Sequence, residues 1–279
     1  MTELIDAEEL ARLVAAADRP VVLLDVRWQL GDPHGEDHYR DGHLPGAVYV
    51  DLDRELAGEP TATSGRHPLP EPEAFHAAVR RWGVNEGDTV VAYDDANGFA
   101  AARAWWLLRH AGHADVRVLD GGLAAWTAAG HGLRPGTVEP SPGAVALTWG
   151  RMPVLDLAAA AAHARSGVLL DARAGERYRG ETEPMDPKAG HIPGAVSAPT
   201  VDNLAADGTL LPPAALREQF AALGLTDDIA VAAYCGSGVS AAQEVLALRR
   251  AGIDAALYPG SWSQYAATDL PVATGPEPG

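Results

Sequence analysis

Cysteine is nearly missing from this chain: Cys235 is the one thiol in 279 residues. A single cysteine excludes an intrachain disulfide framework and suits a reducing compartment, so a cytoplasmic location is expected. Long apolar runs are missing too. No stretch approaches the roughly 18 uninterrupted apolar residues of a membrane span. The N-terminal MTELIDAEELARLVAAADRP has no basic leader before its apolar positions and is expected to be helix rather than signal peptide. Positive charge is scarce, with 21 Lys and Arg against 38 Asp and Glu and a formal net charge of -17. That balance disfavours nucleic acid and anionic membranes as partners. It also requires any anion site to be locally favourable against the global field. Metal-ligand spacing is absent: His34, His38 and His43 are close in sequence, but turn residues separate them and no thiolate accompanies them. No glycine-rich nucleotide fingerprint follows a strand, so neither metal nor cofactor is expected.

What is present begins with length and apolar content. A hydrophobic fraction of 47% is that of a globular chain, and the length fits two ordinary domains. The stretch that organises the rest is 230–251, AVAAYCGSGVSAAQEVLALRRA. An apolar run ends at Tyr234, Cys235 follows, then small residues, then a helical pattern from Ala241. This pattern predicts a buried strand, a tight loop and a helix start. Inward backbone N–H groups in such a loop, at a helix N-terminus, form an anion cradle. That setting lowers a thiol pKa, which makes Cys235 a candidate nucleophile held by Gly236, Gly238, Val239 and Ser240.

Elsewhere strands and helices alternate, which predicts a mostly parallel sheet covered by helices. Helices are expected over 4–17, 71–82 and 99–110, and strands over 21–26 and 88–93. Residues 134–150, rich in proline and glycine, are expected to be a linker running into a strand near 144–148. The pattern then restarts. VLLDAR at 168–173 matches VLLDVR at 22–27, and GHIPGAV at 190–196 matches GHLPGAV at 42–48. The offsets drift little: Asp25 to Asp171 is 146 residues, His43 to His191 is 148, and Tyr93 to Tyr234 is 141. Two copies of one α/β domain are therefore expected, 1–137 and 151–279, joined by 138–150. Asp94 is the register partner of Cys235. An aspartate cannot act as a soft nucleophile and would repel an anion, so the first copy is expected to have lost the cradle and kept the fold. Arg27 and Arg173 repeat beside Asp25 and Asp171, which points to internal ion pairs. His191 reads as structural, and Trp262 as a wall or a core residue.

Taken together, DVR and DAR after matching strands, GHLPG and GHIPG, and the lone CGSGVS loop resemble the tandem-domain sulfurtransferases of the rhodanese family. The resemblance covers the chain from Val21 to about Thr274. It implies a doubled α/β domain, with the second copy catalytic and the active site between the halves. It also implies transfer of a sulfane sulfur through a Cys235 persulfide to cyanide, a small thiol or a thioredoxin. The loop resembles that of the 3-mercaptopyruvate sulfurtransferases rather than that of the thiosulfate enzymes, whose cysteine is followed by basic residues. In that subfamily a serine two after the cysteine joins a histidine and an aspartate of the first domain. The resemblance thus assigns Ser237, His43 and Asp32 to catalysis. It assigns Arg177 of RYRG to the donor carboxylate, with Arg179 following. A second carboxylate-binding arginine normally follows a TEPEP segment. Here TEPMDPKAGH has none, and Lys188 is the cation in its place.

Two alternatives within reach are the same chemistry with thiosulfate as donor and a non-catalytic sulfur-carrier or binding module. Phosphoryl transfer is disfavoured. A cysteine phosphatase needs an arginine about six residues after its cysteine, and Ala241 stands there.

Overall fold

The computed structural model describes residues 2–16, 20–226 and 228–279. The chain divides into two compact units. The first is Met1–Gly58, Pro70–Met152 and Ala206–Thr209; the second is Glu59–Leu69, Pro153–Ala205 and Leu210–Gly279. Two details differ from the sequence reading. Residues 138–152 group with the first unit, because their amides bond to its carbonyls: Gly143 to Arg80 at 2.8 Å and Thr148 to Ala111 at 2.8 Å. These are single bonds to helix ends, so the strand expected near 144–148 does not form. Glu59–Leu69, from the first half of the sequence, groups with the second unit.

The first unit holds strands β1 (Leu4–Ile5), β2 (Val21–Asp25), β3 (Val48–Tyr49), β4 (Thr89–Tyr93) and β5 (Val116–Leu119) in the order β1-β5-β4-β2-β3. The second holds β6 (Val168–Asp171), β7 (Val196–Ser197), β8 (Val231–Tyr234) and β9 (Ala255–Leu257) in the order β7-β6-β8-β9. Every named strand pair is parallel. Parallel strands need helical crossovers, which bury both sheet faces and explain runs such as VVLLD and VAAY. The helix expected over 4–17 is shorter. Leu4 and Ile5 pair with Val118 and Leu119 as a strand, and Asp6 then caps the helix Ala7–Ala16 by accepting from the Glu9 amide at 2.7 Å. Residue 17 lies outside the described residues. In the second unit Val154 keeps only an isolated parallel bridge to Leu257 in the place of β1. Among the described residues no helix is long and apolar enough to cross a membrane.

The repeat shares a polar frame as well as strands. Arg27 pairs with Asp25 at 2.8 Å, and Arg173 with Asp171 at 2.6 Å, all buried. Tyr93 and Tyr234 donate their hydroxyls to those aspartates, each at 2.6 Å. The same hydroxyls accept from the amides of Leu44 and Ile192. Each unit thus ties the end of its cysteine-position strand to the middle of its GHxPG motif. Removing one partner of such a buried set would strand a charge, a large penalty.

The helix Ser240–Arg250 follows β8 and carries a second buried carboxyl. Glu244 is wholly buried and accepts from Asn203 Nδ2 at 2.7 Å. Burial pushes its pKa up from 4.5 to about 8, only partly offset by hydrogen bonds from Thr200 and Asn203. The folded value lies above the unfolded one, so the contribution to stability is complete below about 4.5 and is lost as pH rises through about 8. Glu244→Gln is therefore expected to melt higher than the wild type, by an amount that grows between about pH 5 and about pH 9. Each pKa unit corresponds to about 1.4 kcal/mol, so the gap reaches a few kcal/mol at the alkaline end. Thermal melts across that range check it, and a gap that does not change with pH would show Glu244 already ionised.

Candidate active site

β8 delivers Cys235 to the head of the sheet, and the turn after β9 fixes its backbone. The Cys235 amide donates to Ser261 Oγ at 3.1 Å. The amides of Trp262 and Ser263 donate to the carbonyls of Cys235 and Gly236, each at 2.9 Å. Ser261 is fully buried and holds φ at 53°, a left-handed conformation costly for a residue with a Cβ. Sequence reasoning passed over Ser261, although a Gly-Ser pair just after a strand is a visible turn signal. Gly238 has φ +82°, and a Cβ there would stand 2.5 Å from the Pro259 carbonyl oxygen, so glycine is required. Its amide then points back at the thiol, 3.1 Å from Cys235 Sγ. Cys235 itself keeps 2% of its surface.

The first copy shows what this loop geometry holds. Asp94 is buried, and its carboxylate accepts from the amides of Ala96 and Gly98 on one oxygen and of Ala100 and Ala101 on the other, at 2.9–3.0 Å. Burial raises its pKa, and the backbone amides oppose that rise. The expectation of a lost cradle is corrected: the cradle is kept and filled by the chain's own carboxylate. Asn97, at the register position of Gly238, likewise has positive φ. The amides that correspond to the four Asp94 donors belong to Ser237, Val239, Ala241 and Ala242.

Around the thiol the second unit gathers an imidazole, a hydroxyl and two guanidiniums. His67 Nδ1 lies 2.7 Å from Ser237 Oγ, with both residues 8% exposed. Arg66 Nη2 and Arg177 Nη1 come within 3.2 and 3.5 Å of where a Gly236 Cβ would stand. Arg66 and His67 are placed by docking of their segment on residues 260–264. The Arg66 amide donates to Ser263 Oγ at 3.1 Å, and Gln264 Nε2 to the Thr63 carbonyl at 2.6 Å. Gly65, with φ +80°, would clash with the Gly260 carbonyl at 2.6 Å if it carried a Cβ.

Several assignments change. The histidine on Ser237 is His67, not His43. His43 is buried, stacks on Tyr39 at 4.2 Å and donates from Nδ1 to the Tyr39 carbonyl at 3.0 Å. His191 does the same with Tyr178, at 3.7 Å and 2.8 Å, so both motif histidines serve the frame. Asp32 is a turn carboxylate that accepts from the His34 amide at 2.9 Å and contacts His38 Nε2 at 3.1 Å. Arg179 pairs with Glu181 at 2.7 Å on the exposed side of its helix end. Lys188 Nζ donates to the carbonyls of Thr268 and Leu270, so it ties down the C-terminal segment instead of replacing an arginine. Trp262 is buried, with the Arg173 guanidinium 4.5 Å above its ring, and is a core residue.

The Rhodanese-like domain model matches residues 6–129 and again 155–268. SseB of Mycobacterium tuberculosis, whose name provisionally assigns it thiosulfate sulfurtransferase activity, is 49% identical over 265 residues, covering 94% of this chain and 93% of SseB. A Pseudomonas aeruginosa protein provisionally named a 3-mercaptopyruvate sulfurtransferase is 45% identical over 292 residues, covering 98% of both. The crystal structure of the 3-mercaptopyruvate enzyme SseA from Escherichia coli superposes with a TM-score of 0.81 at 33% identity, over 94% of this chain and 100% of that one.

Proposed function

The chain belongs to the rhodanese family, and from that premise we propose that this tandem-domain sulfurtransferase moves sulfur from 3-mercaptopyruvate through a persulfide on Cys235. The observation that carries the choice of donor is the 2.7 Å contact between His67 and Ser237, two residues beyond the nucleophile. The Cys235 thiolate attacks the donor sulfur. The new S–S bond forms as the C–S bond breaks, and the electron pair passes to the departing carbon skeleton as the enolate of pyruvate. The donor sulfur keeps its proton or loses it to solvent. The enolate needs a proton to leave as pyruvate, and a hydroxyl backed by an imidazole is suited to deliver one. The loop amides hold the negative charge that collects at the outer sulfur, as their counterparts hold the Asp94 carboxylate. Arg177 orients the donor carboxylate. An acceptor thiolate, cyanide or a thioredoxin-type dithiol then attacks the outer sulfur and frees the Cys235 thiolate. The lone thiol must stay reduced between turnovers, which fits the cytoplasm.

Thiosulfate is the second reading, and two guanidiniums beside the thiol favour it, since they suit a dianion. Its leaving group, sulfite, is a stable anion and needs no proton donor. Steady-state turnover with each donor and one common acceptor separates the two. The expected result is a kcat/KM at least about tenfold higher for 3-mercaptopyruvate, a difference of about 1.4 kcal/mol. A preference for thiosulfate would overturn the choice of donor.

A further inference from the structure

We infer that Arg66 is a second donor-binding guanidinium, which with Arg177 clamps the carboxylate of an anionic sulfur donor over Gly236. The inference rests on the sulfurtransferase reading and adds to it the group that recognises the donor. The segment TEPMDPKAGH holds no arginine, and its lysine is spent on the carbonyls of Thr268 and Leu270. Arg66 reaches the same loop from a different part of the chain.

The geometry is that of a seat held from behind. Glu183, whose side chain is 3% exposed, accepts from Arg177 Nη2 at 2.5 Å and Nε at 3.2 Å, which fixes one edge of that guanidinium. Asp186, whose side chain is 4% exposed, pairs with Arg66 Nη1 and reaches Arg177 Nη2 at 3.4 Å. With those edges anchored, Arg66 Nη2 and Arg177 Nη1 converge at Gly236, next in sequence to the nucleophile. A Cβ there would press on Arg66 Nη2 at 3.2 Å and just touch Arg177 Nη1 at 3.5 Å, so glycine leaves the most room at this point. Arg66 also carries a buried Nε without a hydrogen-bond partner, so this guanidinium has more donor capacity than the protein satisfies. The two carboxylates neutralise the two arginines. The seat therefore works through directed N–H donors at short range, the form of anion recognition open to a chain of net charge -17.

Alkylation of Cys235 provides a test that does not depend on the natural donor. Iodoacetate carries a carboxylate beside its reactive carbon, and iodoacetamide is its neutral counterpart. The ratio of their rate constants reports the seat and cancels changes in thiolate fraction. In Arg66→Gln this ratio is expected to fall about tenfold or more, with a smaller fall in Arg66→Lys, which keeps the charge and loses the planar group. Arg179→Gln removes one positive charge from an arginine paired elsewhere and is expected to keep the wild-type ratio. Melting curves identify any variant that has lost its fold, and the iodoacetamide rate checks that the thiol is still reached. In the same Arg66→Gln protein the KM for 3-mercaptopyruvate is expected to rise more than kcat falls. A ratio in Arg66→Gln equal to the wild-type value would overturn the inference. A fallen ratio with thiosulfate as the better donor would leave the seat standing and remove the choice of donor.

Discussion

His67→Ala is expected to lower kcat/KM for 3-mercaptopyruvate by about 10²- to 10⁴-fold, the usual size of a general acid–base contribution. Thiosulfate transfer in the same variant is expected to change far less, because sulfite leaves without a proton. Ser237→Ala should reproduce this split, and the double variant should be little worse than either single one, since the two residues act as a unit through one 2.7 Å contact. His43→Ala supplies the contrast. It removes a stacked ring and a hydrogen bond from the frame of the first unit, so it should lower the melting temperature without discriminating between donors. Steady-state assays with both donors on the three single variants and the double variant check the set. An equal loss for both donors in His67→Ala would mean that the imidazole holds the loop and moves no proton.

The repeat explains which parts of this molecule could be foreseen. Strand and helix placement followed from apolar periodicity, and Phe99–His110 forms over the span expected of it. Parallel pairing followed from strand–helix alternation. The frame was legible because it occurs twice: Arg27 with Arg173 and His43 with His191 have the same partners in both units. The resemblance assigns His43 to catalysis, but a histidine that occurs twice with the same partners serves the frame in both units. The proposed chemistry sits where the copies differ. Asp94 against Cys235 shows this, and so does the segment before the helix Pro72–Arg81. There Arg66 and His67 stand in register with Asp207 and Gly208, just as Pro72 stands in register with Pro213. An unmatched basic pair beside a glycine and a proline was the available signal. What sequence could not supply was its destination. Glu59–Leu69 groups with the second unit through bonds such as Gln264 to Thr63, 201 residues away along the chain. Local propensity carries no trace of such a pairing.

Asp94 follows the same logic of a shared frame with one residue changed. An aspartate in a cradle position suggests repulsion when the incoming anion is imagined as separate from the protein. When the anion is the side chain itself, the same four amides satisfy it. The first unit thus retains the loop that carries Cys235 in the second, filled by a group that cannot leave.

Cys235→Ser is expected to lower sulfur transfer to background with either donor, because the oxygen nucleophile cannot hold a sulfane sulfur. The fold should survive: Cys235 bonds to Ser261 and Trp262 through its backbone, which the substitution leaves in place. The most direct measurement is the intact mass of the wild-type protein after brief exposure to 3-mercaptopyruvate without acceptor. The expected result is a gain of about 32 Da, one sulfur atom, with one equivalent of pyruvate released. That gain should disappear on adding cyanide or a small thiol and be absent in Cys235→Ser. Pyruvate released with no mass gain, a gain that persists in Cys235→Ser, or a gain that no small acceptor removes would contradict transfer through a persulfide on this thiol.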